Sequence, residues 1–349
     1  MNDQLSICIP TYNRRTLLKE CLDSFVPQVA RYQIPIYVSD NASTDDTIDM
    51  LCRYKAERYE HLFYRSNSEN LGIDGNVAAV VAMANTRFCW LFGDDDVIVD
   101  GAVDAVMAKL AEDVQLIVLN ASGNRLPCVE PIVERRLPFI EDRMYEPGQH
   151  DALLKDTATQ ATYIGSLVVD RTRWSRFTDV PYSTYYFHIA VVFSCVVGCR
   201  AAVIAKPYIR CRVSQATWAD RMFEVLMIRW PEAVWALGPE YATSSKAAVT
   251  PRERISSSRH LMAARAMGLY DKHCYHRHVE KRLTGRPATQ WMARSIAAIP
   301  EWFYRMLFRL YLYASRIPSY RLFLYEMRMR EESLKKQRNQ ARAACRGGG

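Results

Sequence analysis

Three consecutive carboxylates, Asp94, Asp95 and Asp96, are the feature of this sequence with the clearest chemical use. They follow residues 88–92, a short apolar run that predicts a strand buried on both faces. Adjacent carboxylates repel one another and cost stability unless a cation offsets the repulsion. We therefore predict a divalent cation, Mn²⁺ or Mg²⁺, bound by one or two of these side chains together with substrate phosphates. The alternative is a turn with a helix N-cap, for which one aspartate would suffice.

Two other polar segments occupy equivalent places. PTYNR, residues 10–14, follows a predicted strand over residues 5–10, and DNAS, residues 40–43, follows one over residues 34–39. Strands and amphipathic helices alternate up to residue 120, which predicts a parallel sheet with helices on both faces. The carboxyl ends of such strands share one edge, where ligands bind. We expect all three polar segments to meet there.

Four segments together resemble the family 2 glycosyltransferases of the GT-A fold. SICIPTYNR, VSDNASTDDT, NLGIDGN and WLFGDDDVI occur in the family's order and at family-like spacings, and the resemblance covers about residues 4–210. GDDD, YIGSLVV and FHIAVV are most similar to the abequosyltransferase-like branch, which transfers deoxysugars during O-antigen assembly. The resemblance implies transfer of a sugar from a nucleotide-diphosphate sugar to a saccharide acceptor, such as a lipid-linked glycan intermediate in surface polysaccharide assembly.

The resemblance also implies a role for each matching residue. Of the acidic triplet, Asp95 or Asp96 would bind the metal, and the register between them stays open because the family's separated pair has become three in a row. Asp40 matches the acid that recognises the nucleobase. A carboxylate can accept a hydrogen bond from uracil, thymine or cytosine, so the identity of the nucleobase stays open. Gly72 is equally explained as a left-handed turn residue. The residues implied to bind the nucleotide sugar are Pro10, Thr11, Tyr12, Arg14, Asp40, Gly72, Asn76 and Asp94.

The general base is not where the family places it. The family has an acid on the helix after the YIGSLVV strand, but residues 184–188 here read TYYFH. His188 has a pKa range suited to taking a proton from an acceptor hydroxyl, and Asp179 is the second candidate. The alternative for His188 is a hydrogen-bonded histidine packed beside aromatic side chains. Without a base, the chain would be a non-catalytic or degenerate sugar-nucleotide-binding protein at the membrane surface.

The segment after the first strand argues against two other enzyme classes. A dinucleotide-dependent enzyme needs GxGxxG there, and a nucleotidyltransferase needs a glycine-rich basic loop. The chain has PTYNRR instead. Neither class is therefore favoured.

The charge of the chain is concentrated at its C-terminal end. The 349 residues carry a net charge of +8, but residues 252–349 contain 21 Lys and Arg against 7 Asp and Glu, so residues 1–251 carry −6. Residues 301–316 combine aromatic side chains with Arg305, Arg309 and Arg316 at helical spacing, which predicts a helix lying in a membrane surface. The alternative is a helix packed on the catalytic domain with its arginines in solvent. No nucleic-acid-binding motif accompanies the basic tail, so nucleic acid is not an expected partner.

The expected organisation has three parts. Residues 1–215 form an α/β domain of the GT-A class, Rossmann-like with a mostly parallel sheet, with the donor site in 1–120 and the acceptor side in 121–215. A mainly helical region, 216–330, and a disordered basic tail, 331–349, follow. The ten cysteines show no paired spacing, and neither a signal peptide nor an apolar run of about 18 residues is present. We expect a cytoplasmic protein, peripheral at the inner face of the cytoplasmic membrane.

Overall fold

The computed structural model describes residues 1–125, 130–213, 221–315, 324–325, 327–329 and 332. The chain forms two compact units, the first containing residues 1–212 and 232–251 and the second residues 213–231 and 252–349. The first stretch of unit one ends three residues before the expected boundary at residue 215. Residues 232–251, which we expected in the C-terminal region, belong to unit one.

Within the residues that the structure describes, unit one contains one mixed sheet of ten strands. In chain order they are β1 Leu5–Thr11, β2 Ile36–Asp40, β3 Leu62–Ser66, β4 Phe88–Leu91, β5 Val97–Ile98, β6 Leu116–Asn124, β7 Pro131–Val133, β8 Arg143–Tyr145, β9 Leu167–Asp170 and β10 Ala201–Arg212. Their order is β3-β2-β1-β4-β9-β6-β10-β5, with β7 on β6 and β8 on β10. The strands β3-β2-β1-β4 are mutually parallel, as are β6 and β10, whereas β9 runs antiparallel to both β4 and β6.

The helices of unit one cover the sheet. They are α1 Arg15–Val29, α2 Thr47–Glu57, α3 Gly72–Met83, α4 Ala102–Leu110, α5 His150–Ala161, α6 Arg171–Trp174 and α7 Phe187–Cys195, with most of α9 Trp230–Ala236 and all of α10 Thr243–Val249. The helices expected to alternate with strands in the first part of the chain are present. Helix α5 was not predicted, although its buried positions Leu153, Leu154, Thr157 and Ala161 follow helical spacing.

The core of unit one supports the edge at which β1 and β4 end. Every residue of β1 is buried, as a strand covered on both faces requires. Phe25 of α1 packs edge-to-face on Trp90 and Phe92, with ring centroids 5.4 and 4.7 Å apart. Because Phe92 stands two residues before Asp94, this aromatic cluster fixes the position from which the acidic triplet leaves the sheet.

Unit two is helical in its described residues. Besides the first two residues of α9, it contains α8 Met222–Glu224, α11 Ser258–Ala266, α12 Lys272–Cys274, α13 Pro287–Ala298 and α14 Glu301–Ser315. Its own core includes Tyr270, whose ring stacks on Phe223 with centroids 5.2 Å apart. This agrees with the expected helical character of the C-terminal region. The expected disordered tail, 331–349, lies outside the described residues apart from Glu332.

Helix α14 has a packed face and an exposed apolar face. Tyr304 and Leu312 are buried, whereas Trp302, Met306 and Leu310 are exposed at a spacing of four residues. In the described part of the chain, no helix is long and apolar enough to cross a bilayer. The exposed apolar face of α14 thus belongs to a helix whose opposite face is buried.

Of the three arginines spaced along this segment, Arg305 makes contacts within the fold that the sequence did not predict. Its guanidinium donates to the Ala266 carbonyl oxygen at 3.2 Å and pairs with Glu301, so it is used within the fold. Arg309 is exposed as expected, and Arg316 lies outside the described residues.

Candidate active site

The carboxyl ends of β1, β2 and β4 lie together, as predicted. Thr11 and Asp40 are paired residues at the ends of the parallel strands β1 and β2. Strand β4 is parallel to β1 on its other side. The Thr11 hydroxyl donates to Asp94 Oδ2 at 2.7 Å. The three polar segments therefore form one site, although they are far apart in the chain.

Arg14 links the first segment to the acidic triplet. Its Nη1 lies 3.1 Å from Asp94 Oδ1 and 2.6 Å from Asp95 Oδ2. Burial raises the pKa of Asp94 to about 6; repulsion from Asp95 adds to the rise, while Arg14 and the Thr11 hydroxyl oppose it. Arg14 thus supplies positive charge to Asp94, whose ionised form burial disfavours.

Asp96 faces a different set of groups. Its Oδ1 accepts the backbone N–H of Arg212 at 2.7 Å. Burial and then repulsion from Asp95 raise the pKa of Asp96 to about 8, against the nearby hydroxyl of Tyr163 and the N–H of Arg212. A carboxyl in this position needs added positive charge to ionise fully. Neither Arg212 nor Tyr163 was anticipated, although Arg212 ends a strand as the other site residues do.

The acidic residues fit a divalent cation that is completed by a ligand. No group of three or more His, Cys, Asp or Glu side chains is placed to hold a metal within the residues that the structure describes. Mg²⁺ and Mn²⁺ are, however, commonly bound by one or two carboxylates with substrate phosphates and water. The raised pKa of buried Asp96 shows an anionic position short of positive charge. Asp95 and Asp96 are thus suited to a metal that arrives with a diphosphate.

Asp40 is buried at the end of β2 and has one uncommitted oxygen. Its Oδ2 accepts the Ser43 backbone N–H at 3.2 Å and the Ser66 hydroxyl at 2.7 Å. Its Oδ1 is buried and has no hydrogen-bond partner among the described residues. A buried acceptor is costly to leave unpaired, so this oxygen is available for a donor N–H from a ligand.

Asn76 supports the site from inside the protein. Its Oδ1 accepts from Ser39 Oγ at 2.7 Å and Asn67 Nδ2 at 3.0 Å, and its Nδ2 donates to the carbonyl oxygens of Thr11 and Ser39 at 3.3 and 3.1 Å. An amide has two donors and two lone pairs, so its capacity is used. In this arrangement Asn76 acts by joining β1 to β2 rather than by bonding a ligand.

The remaining predicted donor residues surround this edge. Gly72 begins α3 with φ +71°, the left-handed conformation expected of a turn glycine. Pro10 is buried within β1, and Tyr12 just beyond the strand is exposed. Tyr12 is thus the member of PTYNR with an aromatic ring open to solvent.

The two candidate bases lie in contrasting surroundings. His188, the second residue of α7, is buried, and burial lowers its pKa to about 4 despite nearby backbone at Ala161 and Thr162. The ring is therefore neutral at pH 7, and the expected titration near pH 6–7 does not apply to it. Asp179 is exposed in the turn between α6 and α7.

Solved structures share the architecture of this chain. The crystal structure of residues 1–349 of Staphylococcus aureus TarS matches with a TM-score of 0.54 at 15% identity, covering 87% of this chain and 91% of that one. The same fragment in complex with UDP-GlcNAc gives 0.56 at 16% identity over 87% and 92%. The mannosyltransferase PcManGT from Pyrobaculum calidifontis, in complex with GDP-Man and Mn²⁺, gives 0.50 at 14% identity over 94% and 87%. The fold is therefore that of the GT-A glycosyltransferases, as predicted.

The sequence is also similar to those of glycosyltransferases. Residues 6–157 match the family described as Glycosyl transferase family 2. Abequosyltransferase RfbV of Salmonella typhimurium is 33% identical over 224 residues, covering 60% of this chain and 66% of RfbV. GalNAc(5)-diNAcBac-PP-undecaprenol beta-1,3-glucosyltransferase of Campylobacter jejuni is 28% identical over 109 residues, 31% of this chain and 35% of that protein. The family match covers residues 6–157, and the chain spans less than two thirds of the length of each of these two relatives.

Proposed function

We propose that this protein is a metal-dependent hexosyl- or deoxyhexosyltransferase that moves a sugar from a nucleoside-diphosphate sugar to a saccharide acceptor. The observation that carries the proposal is the strand-end site itself, where Thr11, Arg14 and the acidic triplet meet beside the buried, uncommitted oxygen of Asp40. The two described sugar-nucleotide complexes of this fold support a nucleoside-diphosphate donor. Similarity to an abequosyltransferase supports a deoxyhexose.

Each of the site residues has a separate role in binding the donor. Asp40 accepts an N–H from the base, and Tyr12 offers an exposed ring at the rim of the site. Asp95 and Asp96 hold Mn²⁺ or Mg²⁺, and Asp94 binds the sugar nucleotide. The bound metal stabilises negative charge on the departing diphosphate. Arg14, already paired with Asp94 and Asp95, keeps these carboxylates together before the donor arrives.

His188 and Asp179 remain the proposed groups that accept the acceptor's proton. Neutral His188 has a free electron pair at pH 7, but its low pKa makes it a weak base and its burial limits its reach. Asp179 is exposed to solvent in the turn between α6 and α7. The second candidate function, a non-catalytic sugar-nucleotide-binding protein, is favoured by this lack of an exposed base fixed on α7.

We propose a lipid-linked saccharide as the acceptor and the cytoplasmic face of a membrane as the place of reaction. The name of the Campylobacter relative specifies an undecaprenol-linked glycan. Trp302, Met306 and Leu310 form an exposed apolar face on α14, with exposed Arg309 among them. Aromatic and aliphatic side chains beside a cation are typical of a helix lying in the headgroup layer. The excess of basic residues in 252–349 adds attraction to anionic lipid.

The decisive experiment measures donor binding and donor breakdown separately. The full-length protein is screened by thermal shift against UDP, dTDP, CDP and GDP with and without Mn²⁺, because a ligand of the folded state raises the melting temperature by mass action. The matching sugar nucleotides are then tested for hydrolysis. We expect one base to stabilise most and its sugar nucleotide to be hydrolysed only with metal. Nucleotide binding with neither hydrolysis of the sugar nucleotide nor transfer to a polyprenyl-diphosphate saccharide would favour the non-catalytic alternative. If no nucleotide raised the melting temperature, both candidate functions would be contradicted.

A further inference from the structure

An aspartate that the proposed reaction does not use directly joins α3 to the beginning of α7. Asp74 Oδ2 accepts the backbone N–H of Tyr185 at 2.7 Å, and its Oδ1 accepts that of Phe187 at 3.2 Å. Asp74 is the third residue of α3, and Phe187 is the first residue of α7. One carboxylate therefore bridges two amides that are more than 110 residues away in the chain.

The first turn of α7 needs this support. The N-cap residue Tyr186 makes no capping hydrogen bond with its own side chain. Tyr185 before it has φ +75°, a left-handed conformation that is unfavourable for a side chain of this size. A carboxylate at a helix N-terminus satisfies open N–H groups and interacts favourably with the helix dipole. Asp74 supplies this cap from another helix and thereby holds the strained turn.

Helix α3 is fixed in turn to the donor edge of the sheet. Asn41, next to Asp40, accepts the Leu71 N–H on Oδ1 at 2.8 Å and donates from Nδ2 to the Gly72 carbonyl oxygen at 3.3 Å. One turn further along α3, Asn76 binds the Thr11 carbonyl oxygen. The beginning of α3 is therefore bonded to β1 and β2 by side-chain amides and to α7 by Asp74.

The contact is not favourable for Asp74 itself. Burial raises the pKa of this carboxyl, and the two N–H groups of Tyr185 and Phe187 only oppose that rise. If Asp74 served folding alone, its surroundings would be expected to stabilise its charged carboxylate. Positions where a group is held at a net cost are often those where geometry serves function.

We propose that Asp74 is a positioning residue that sets the first turn of α7 relative to the donor edge, so that the acceptor hydroxyl is presented to the donor sugar. This inference rests on the proposed transferase function. His188, the residue after Phe187, is carried on the turn that Asp74 fixes. Small displacements of a reacting group are costly, since a misplacement of about 1 Å can reduce a rate by about 10²-fold.

The test compares Asp74→Asn with Asp49→Asn in the full-length protein. Asp49 is also the third residue of its helix, α2, but it is exposed, so its substitution removes a first-turn charge alone. Two rates are measured with the preferred sugar nucleotide: hydrolysis by water, and transfer to a synthetic polyprenyl-diphosphate saccharide. Affinity for the nucleoside diphosphate and amide hydrogen exchange at Tyr185 and Phe187 are measured in parallel.

We expect Asp74→Asn to lower transfer by roughly 10- to 100-fold while hydrolysis and nucleotide affinity stay at wild-type values. Exchange at the two amides should lose protection, and Asp49→Asn should change none of these quantities. A merely structural role would lower hydrolysis and transfer by the same factor, and that result would overturn the proposal, as would unchanged transfer. If Asp74→Asn does not fold, Asp74→Glu, which keeps both acceptor oxygens, is tested instead. Its ratio of transfer rate to hydrolysis rate is compared with that of the wild type.

Failure of the transferase function gives a different result. A wild-type protein that neither binds nor hydrolyses any nucleotide sugar contradicts the proposed function. The amide exchange still reports on Asp74 in that case. Unchanged protection of Tyr185 and Phe187 in Asp74→Asn would overturn the positioning role by itself.

Discussion

The guanidinium of Arg14 lies 2.6 Å from the carboxylate of Asp95, and both side chains are less than one-fifth exposed. The two residues come from different sequence motifs, one at the end of β1 and one at the end of β4. Their ion pair brings positive charge beside buried Asp94, whose pKa burial raises to about 6. This relationship leads to the first prediction.

Substituting Arg14→Gln should destabilise the free protein. It removes a largely shielded charge that serves both Asp94 and Asp95, and hydrogen bonds to charged groups contribute about 1.5–3 kcal/mol each. The neighbouring variant Arg15→Gln is the control, since Arg15 pairs with exposed Asp46 and should change stability by less than about 0.5 kcal/mol. Urea unfolding of both variants measures the difference. Equal losses of unfolding free energy in the two variants would show that the Arg14 ion pairs stabilise the protein no more than the exposed Arg15 pair does.

Substituting Asp96→Asn should remove catalysis without unfolding the protein. The amide oxygen can still accept the Arg212 N–H, and the cost of a buried charge disappears, so the melting temperature should stay the same or rise. Donor hydrolysis should fall at least about 10²-fold, because metal stabilisation is worth several kcal/mol. The control is Asp100→Asn, an exposed aspartate four residues further on. Normal hydrolysis by the Asp96 variant would exclude Asp96 as a metal ligand.

Substituting Asp40→Asn should weaken nucleotide binding. The amide keeps an oxygen for Ser43 and Ser66 but turns its NH₂ group toward the place of the uncommitted Oδ1, where it opposes a base N–H. Loss of a hydrogen bond to a charged group corresponds to at least about a tenfold lower affinity. Calorimetry with the preferred nucleoside diphosphate measures this affinity, and Asp46→Asn, on the exposed loop, is the control. An unchanged dissociation constant would place Asp40 outside the binding site.

His188 should make the protein less stable in mild acid. Its pKa of about 4 in the fold lies below the ordinary value of 6.5, so the unfolded chain binds a proton first. Stability should therefore fall as pH drops from about 6.5 to about 4, by up to about 1.4 kcal/mol per pH unit from this group. His188→Gln should remove this part of the slope, whereas exposed His273→Gln should retain it. Parallel pH profiles for wild type and His188→Gln would contradict the burial of a neutral imidazole.

The exposed face of α14 should bind anionic vesicles. A variant with Trp302→Ser, Met306→Ser and Leu310→Ser removes apolar surface while leaving the packed face intact, and should lower vesicle affinity at least about tenfold. The control is Ile140→Ser, an apolar residue of unit one that is even more exposed. Flotation with phosphatidylcholine vesicles, with and without phosphatidylglycerol, measures binding, and salt should release part of it. Equal flotation of the triple variant and wild type would leave this face without a role at the membrane.

Local periodicity was sufficient for the framework of this protein. The continuous apolar runs of β1 and β2 and the spaced apolar residues of α1 predict a buried sheet with covering helices, because burial on two faces or one stripe leaves different patterns. Parallel topology then brings Thr11, Asp40 and Asp94 to one edge without knowledge of any contact. The candidate donor site was therefore predictable from sequence.

The environments of single side chains, by contrast, depend on how separate elements pack together. The burial that makes His188 a weak base, the N–H that Arg212 gives to Asp96, and the cap that Asp74 gives to α7 all join residues from separate elements. The same holds for the hydrogen bond that Arg305 donates to the Ala266 carbonyl oxygen. Periodicity reports which face of an element is apolar, but not which group of another element lies opposite a given atom. That arrangement depends on long-range packing, and it sets charge, pKa and position at the site.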